Sequence, residues 1–137
     1  MDENGRLKVP AQFFQYLSQK YGLHVFVTST TGDFVRVYPM EVWEELERRL
    51  EDIPDSLPAK EKYLNRLQFY GQSATLDRQG RLVIHPHLRD RAQTTGEVAV
   101  LGKSNFLEVW NRSRFVEILD GQPLTEEDRK ELAAYKV

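Results

Sequence analysis

Hydrophobic positions along the chain switch between strand-like and helix-like spacing, and the same order of patterns occurs twice. The first half predicts a strand, an amphipathic helix, a hairpin and a second helix, over residues 5–9, 10–21, 23–28 with 34–38, and 41–51. The second half predicts two strands, a helix, a hairpin and a helix, over residues 72–76, 82–84, 86–92, 97–101 with 106–110, and 113–119. A helix over 58–70 joins the halves, with Ser56 as its expected cap, and Thr125 is expected to cap a short final helix.

Each half also carries an Asp-x-x-Gly-Arg motif, at Asp2–Arg6 and again 75 positions later at Asp77–Arg81. An aspartate side chain accepts hydrogen bonds from backbone N–H groups two residues on, and a glycine adopts a positive φ without strain. The residues expected to brace the two turns are therefore Asp2, Gly5, Asp77 and Gly80. Because a strand, a helix and a hairpin follow each turn in the same order, the motifs indicate an internal repeat.

The repeat predicts four parts of the chain. These are a first repeat over 1–53, a connecting helix over 54–71, a second repeat over 72–119, and a C-terminal tail with a short helix over 120–137. An alternating strand over 72–76 precedes the second turn, whereas Met1 alone precedes the first. If the first repeat truly lacks this strand, a neighbouring strand is left with an unpaired edge.

Composition indicates a folded domain in a reducing compartment. Hydrophobic residues make up 40% of the chain, which is enough for a core, and there is no cysteine to form a disulfide or act as a thiolate. No apolar run approaches the roughly 20 residues that cross a bilayer, and the polar N-terminus does not resemble a signal peptide. We expect a cytoplasmic protein without a membrane partner.

Charge is segregated along the chain although the net charge is only −2, which by itself argues against binding to nucleic acid. Residues 77–91 contain four arginines and two aspartates. Residues 41–55 contain seven carboxylates and two arginines. Fields act locally, over roughly 8–10 Å in physiological salt, so the distribution of charge matters more than its sum.

On these residues the chain resembles the MraZ family of bacterial regulators, which are built from two tandem SpoVT/AbrB-type repeats. The resemblance rests on the two Asp-x-x-Gly-Arg turns, the stretch Gly80–Arg89 and the strand end Glu108-Val109-Trp110. It implies an α+β fold, in which the two tandem repeats form a β-rich, swapped-hairpin (AbrB-like) barrel with peripheral helices. It also implies a homo-oligomer, ring-shaped in this family and associated with the nucleoid.

The resemblance further implies a function. Such a protein binds direct repeats of double-stranded DNA and represses the division and cell-wall gene cluster, including its own promoter. The arginine of each turn is central to DNA binding in the family, which places this role on Arg6 and Arg81. Supporting contacts are expected from Asn4, Lys8, Arg78 and Gln79.

The two turns differ from each other and from the family pattern. The residue before the glycine is often basic in the family, but here it is Asn4 or Gln79. The second turn is expected to bind DNA better, because it keeps its incoming strand and carries Arg78. Taken alone, each turn arginine is equally compatible with a surface ion pair, such as Arg81 with Asp77.

Other chemistry receives little support from the sequence. The His85-Pro86-His87 motif lacks the third and fourth ligands that zinc requires, and the carboxylates of 41–55 have the spacing of a solvated helix face. No phosphate loop or nucleophile elbow occurs. We therefore expect no enzymatic activity, metal, cofactor or small-molecule substrate. The rival hypothesis is an AbrB-fold assembly or antitoxin-like interaction protein with weak or no DNA binding.

Overall fold

The computed structural model describes residues 1–137 as six helices and seven short strands. The first part contains β1 Arg6–Lys8, α1 Ala11–Lys20, β2 His24–Thr28, β3 Val35–Pro39, α2 Met40–Glu51 and α3 Pro58–Tyr70. The second contains β4 Gln72–Thr75, β5 Arg81–Val83, α4 Pro86–Ala92, β6 Val98–Gly102, β7 Leu107–Asn111, α5 Arg112–Gly121 and α6 Glu126–Ala133. Every helix and strand expected from the hydrophobic pattern is present, and the α+β class is confirmed.

The strands form two antiparallel sheets in which the repeats interleave. One sheet pairs β1 with β5, and the other has the order β4-β2-β3-β7-β6. Strands from different repeats meet at β1–β5, β2–β4 and β3–β7. The Gln72 side chain joins the two sheets, because its amide donates to the carbonyl of Val83 at 3.1 Å and accepts from the N–H of His85 at 2.8 Å. Both sheets therefore contain strands from both repeats.

An approximate two-fold relation between the repeats runs through both sheets. In the small sheet Leu7 pairs with Leu82, its own counterpart 75 positions later. In the large sheet Arg36 pairs with Glu108, its counterpart 72 positions later. The large sheet ends at β4 on one side and at β6 on the other, so each of these two strands has a single strand partner.

Two apolar clusters hold the elements together. The main core contains fourteen buried residues from both repeats, including Leu7 and Leu82 on the inner face of the small sheet. A second cluster lies beneath α2 and α3, where the rings of Phe26 and Trp43 stack at 4.0 Å. Helix α2 buries Val42, Trp43 and Leu50 and exposes its carboxylates, as its amphipathic pattern predicts.

Helix ends follow the sequence in one case and depart from it in another. Thr125 accepts a hydrogen bond from the N–H of Asp128, whose carboxylate accepts from the N–H of Thr125, so a capping box starts α6. Ser56 does not cap α3, because Leu57 occupies the N-cap position and no side chain bonds the helix end. Pro58 at the helix start makes a side-chain cap less necessary, since its nitrogen carries no hydrogen. None of the six helices is both long and apolar enough to span a membrane.

Candidate nucleic-acid interface

The first Asp-x-x-Gly-Arg turn is held by the carboxylate of its aspartate. Oδ1 of Asp2 accepts hydrogen bonds from the N–H groups of Asn4 and Arg6, both at 2.9 Å. Oδ2 accepts from Nε of Arg6 at 3.0 Å. Gly5 closes the turn with a φ of +73°, and its N–H donates to the carbonyl of Asp2 at 3.1 Å. One carboxylate thus fixes both the backbone of the turn and the direction of the arginine side chain.

The second turn repeats this geometry closely. Oδ1 of Asp77 accepts from the N–H groups of Gln79 at 2.8 Å and Arg81 at 2.9 Å, and Oδ2 accepts from Nε of Arg81 at 3.0 Å. Gly80 has a φ of +76°. Each corresponding distance agrees with the first turn to within 0.1 Å. The ion pair considered as an alternative for the arginines is therefore present in both turns.

Electrostatics stabilise the ionised form of both aspartates. The pKa of Asp2 is lowered chiefly because the backbone N–H of Arg6 donates to its carboxylate, with the Asn4 N–H and the Arg6 charge adding to the effect. The pKa of Asp77 is lowered chiefly by the backbone N–H of Arg81, followed by the side chain of Arg81 and the N–H of Gln79. At neutral pH both turns therefore contain a fixed carboxylate and a guanidinium.

The ion pair occupies only part of each guanidinium. Asp2 and Asp77 bond Nε, while Nη1 and Nη2 of Arg6 and Arg81 make no hydrogen bond within the chain. The two arginine side chains remain about one-third exposed, at 34% and 31%. Each aspartate thus orients a guanidinium whose two terminal nitrogens are available to an external acceptor, and a paired Nη geometry suits guanine or phosphate.

The strand pairing brings the two arginines onto one surface. Arg6 lies opposite Val83 and Lys8 opposite Arg81, while Leu7 and Leu82 face the core. Successive strand residues point to opposite faces, so these four residues share the outer face of the β1–β5 ribbon. Arg6 and Arg81 are diagonal neighbours, which places their backbones roughly 7–8 Å apart. We refer to Arg6, Lys8, Arg81 and Val83 as the ribbon face.

Of the four supporting residues expected from the sequence, three lie in the turns beside the ribbon face and one lies on it. Asn4 and Gln79 occupy the exposed third positions of the two turns, and Arg78 occupies the exposed second position of the second turn. The corresponding position of the first turn is Glu3, also exposed. Lys8 lies on the ribbon face itself, directly across from Arg81.

The helix of each repeat packs against the turn of the other, which sequence reasoning missed. A Cβ atom at Gly80 would lie 3.4 Å from the ring of Phe14 in α1. A Cβ atom at Gly5 would overlap the guanidinium of Arg89 in α4. The residues that cover the glycines are counterparts, since 14 and 89 differ by 75. The one available signal was the shared 75-residue offset, and no local pattern indicated which turn each helix would meet.

The histidine motif does not assemble a metal site. No group of three or more His, Cys, Asp or Glu side chains lies close enough to hold an ion. His85 and His87 stack on each other at 5.8 Å, and Nε2 of His87 lies 3.2 Å from the carbonyl oxygen of Phe69. Their contacts therefore belong to the packing between α4 and the end of α3.

Comparison with known proteins identifies the family. The family model described as "MraZ protein, putative antitoxin-like" matches residues 1–66 and 71–134. A protein of Acidobacterium capsulatum named Transcriptional regulator MraZ is 42% identical over 98% of this chain and 92% of its own length. A protein of the same name from Koribacter versatilis is 41% identical over 97% of this chain and 91% of its own length.

A third relative with this name, from Herpetosiphon aurantiacus, is 39% identical over 88% of this chain and 81% of its own length. The relatives are named as transcriptional regulators and not as enzymes. The match covers both repeats and nearly the full length of the chain, as the two turns had indicated. This chain belongs to the MraZ family.

Proposed function

We propose that the chain is a sequence-specific DNA-binding transcriptional regulator that uses the ribbon face as its reading surface. The observation that carries the proposal is the convergence of Arg6, Lys8 and Arg81 on the outer face of one two-stranded ribbon. The names of the relatives support regulation of transcription. The family membership and the site geometry thus point to the same activity.

The shape of the ribbon suits the major groove of DNA. B-DNA has a major groove about 12 Å wide, which admits a two-stranded β-ribbon. Arg6 and Arg81 would present Nη groups to guanine edges at the centre of the groove, while Asp2 and Asp77 hold the guanidinium planes in place. Lys8, Arg78, Asn4 and Gln79 would contact phosphates and sugars beside them, which fixes the register on the duplex.

A single ribbon face has too few charges for tight binding. Each neutralised phosphate contributes about 0.9 to the slope of log affinity against log salt, so three or four contacts yield modest affinity. Linked modules gain affinity by orders of magnitude when their spacing matches the DNA sites. A chain of net charge −2 therefore fits a ring-shaped homo-oligomer that presents repeated ribbon faces to direct repeats in its promoter. Binding there would repress the division and cell-wall gene cluster.

The test is binding to a fluorescein-labelled duplex of the promoter that precedes the chain's own gene. We expect fluorescence anisotropy to rise with protein concentration, and the midpoint to move to higher concentration as salt is raised from 50 to 300 mM. A duplex of the same length with shuffled sequence should bind more weakly. Equal binding to both duplexes would contradict sequence-specific recognition.

The rival function is an antitoxin-like interaction protein, and the description of the family model favours it. The acidic outer face of α2 would then contact a basic partner. This function predicts no salt-dependent binding to the promoter duplex even at 50 mM salt. The same anisotropy titration therefore separates the two functions.

A further inference from the structure

Arg89 stands apart from the other arginines near the interface because it comes from the opposite repeat. It lies on α4, and its guanidinium covers Gly5 of the first turn so closely that a Cβ atom there would overlap Nη1. Gly5 is buried as a result, although the residues before it in the turn are exposed. At the second turn Phe14 occupies the equivalent place over Gly80. The first turn thus carries a guanidinium where the second carries a ring.

The charge of Arg89 has no partner within the chain. Arg89 takes part in no ion pair, and its Nε is buried without a hydrogen-bond acceptor. Glu3 belongs to the same turn and does not pair with it. Arg6, by contrast, is paired with Asp2 at 3.0 Å. A guanidinium that has lost part of its hydration and has no counter-ion gains most from an external anion.

The two turns differ in the source of their second positive charge. Arg78 supplies it at the second turn, from the position that Glu3 occupies in the first. Arg89 supplies it at the first turn, from across the repeat boundary. Each turn therefore has two arginines, Arg6 with Arg89 and Arg81 with Arg78. The first turn therefore has more positive charge beside it than residues 2–6 supply.

We propose that Arg89 contacts a backbone phosphate of DNA beside the first turn, so that the first turn binds as a composite of both repeats. The inference rests on the proposed function. Arg89 lies over Gly5, at the end of the ribbon and outside the ribbon face, and groups beside a groove-filling ribbon meet the DNA backbone. Nε is the one guanidinium nitrogen of Arg89 that is fully buried, and Nη1 and Nη2 donate to no group of the chain, so they can donate to a phosphodiester oxygen.

The test compares Arg89→Gln, Arg89→Lys and the wild-type protein on the promoter duplex across a salt series. Arg89→Gln is expected to lower the salt slope by about 0.9 for each Arg89 contact in the complex. If Arg89→Gln and the wild-type protein bind equally at 1 M salt, this difference in slope makes the variant bind about fivefold more weakly at 0.15 M salt. Arg89→Lys keeps the charge and should retain the wild-type slope. If Arg89 only supported the fold, the salt slope would not depend on whether residue 89 is charged.

Two results would overturn the inference. In the first, Arg89→Gln has the salt slope and affinity of the wild-type protein, while Arg81→Gln binds more weakly. This result would show that Arg89 does not contact DNA, and it would leave the proposed function intact. The second result comes from Phe14→Arg, which is the variant to use if Arg89→Gln does not fold. This substitution places a guanidinium over the second turn. A steeper salt slope than that of the wild-type protein would support the inference, and an unchanged slope would contradict it. Failure of wild-type protein to bind the duplex would instead reject the proposed function.

Discussion

Arg36 and Glu108 are repeat counterparts that carry opposite charges and meet where the two repeats pair, with Nε of Arg36 3.1 Å from Oε2 of Glu108. Nη1 of Arg36 also donates to the hydroxyl of Tyr38 at 3.1 Å, and Nε1 of Trp110 donates to the Glu108 carboxylate at 3.1 Å. Two first repeats paired in this register would bring two arginines together, and two second repeats would bring two glutamates together. The pair therefore favours association of unlike repeats.

Removing one member of this pair should destabilise the chain. Glu108 is 9% exposed and Arg36 is 23% exposed as side chains, so Glu108→Ala leaves a largely buried guanidinium without its carboxylate. We expect the free energy of unfolding to fall by about 3 kcal/mol. Urea unfolding followed by circular dichroism measures this. The exposed pair Arg49–Glu45 provides the control, since Glu45→Ala should change the same quantity by less than about 0.5 kcal/mol.

Exchange of the two charges gives a second test of the pair. Arg36→Glu with Glu108→Arg restores opposite charges, and it should recover part of the stability lost in either single variant. Recovery is incomplete because Trp110 would then direct its N–H at an arginine. A double variant no more stable than the less stable single variant would show that charge pairing is not what holds the repeats together.

Acid should weaken the two turns. The pKa values of Asp2 and Asp77 are lowered by the donated N–H groups, so each carboxylate stabilises the fold above the unfolded pKa near 3.8. This contribution is lost as pH falls through the lower, folded pKa. The wild-type protein should therefore melt at higher temperature than Asp2→Asn/Asp77→Asn at pH 7, and the difference should shrink below pH 3.8. A difference that is constant from pH 7 to pH 2.5 would contradict this assignment.

Alanine substitutions at Gly5 and Gly80 should distinguish the effect of backbone strain on stability from the effect of Arg89 on DNA binding. Both glycines have positive φ, so Gly5→Ala and Gly80→Ala are each expected to cost about 1–2 kcal/mol in unfolding free energy. Gly5→Ala must also displace the Arg89 guanidinium, whereas the Phe14 ring at 3.4 Å leaves room at Gly80. We expect only Gly5→Ala to reduce the salt slope of DNA binding as Arg89→Gln does. Equal slopes for the two variants would argue against a role of Arg89.

The C-terminal tail should be dispensable for folding. Residues 122–137 are exposed throughout, and no side-chain hydrogen bond joins them to the rest of the chain. Deleting them is expected to change the free energy of unfolding by less than about 0.5 kcal/mol. Chemical denaturation of the shortened chain measures this, and a loss of several kcal/mol would mean that the tail packs on the folded core or on a second copy.

Local structure was largely predictable from the sequence because local spacing encodes it. The helical period of α2, the alternation at 72–76 and the glycine turns all act over a few residues, and their positions were correct. The repeat offset predicted that Asp2 and Asp77 would be equivalent, and their hydrogen bonds are indeed alike. The error at Ser56 arose because Pro58 already suits a helix start without a side-chain acceptor.

The composition of the candidate site was less predictable because it depends on pairing between distant strands. Arg6 and Arg81 share a face only because β1 pairs with β5 in the observed register, and a shift of one residue would separate them. The contact of Arg89 with Gly5 spans the two repeats in the same way. Sequence periodicity predicts which face of an element is apolar, but it does not state which partner that element meets.

The most direct test of the ribbon face compares two double variants that remove the same charge. Arg6→Gln/Arg81→Gln removes both arginine charges from the ribbon face and leaves Lys8, and Arg48→Gln/Arg49→Gln removes the charges of two exposed arginines of α2. We expect the first variant to lose specific binding to the promoter duplex in an anisotropy titration at 0.15 M salt. The second should bind as the wild-type protein does. Equal affinity of the two variants, or wild-type affinity of the first, would contradict recognition of DNA by the ribbon face.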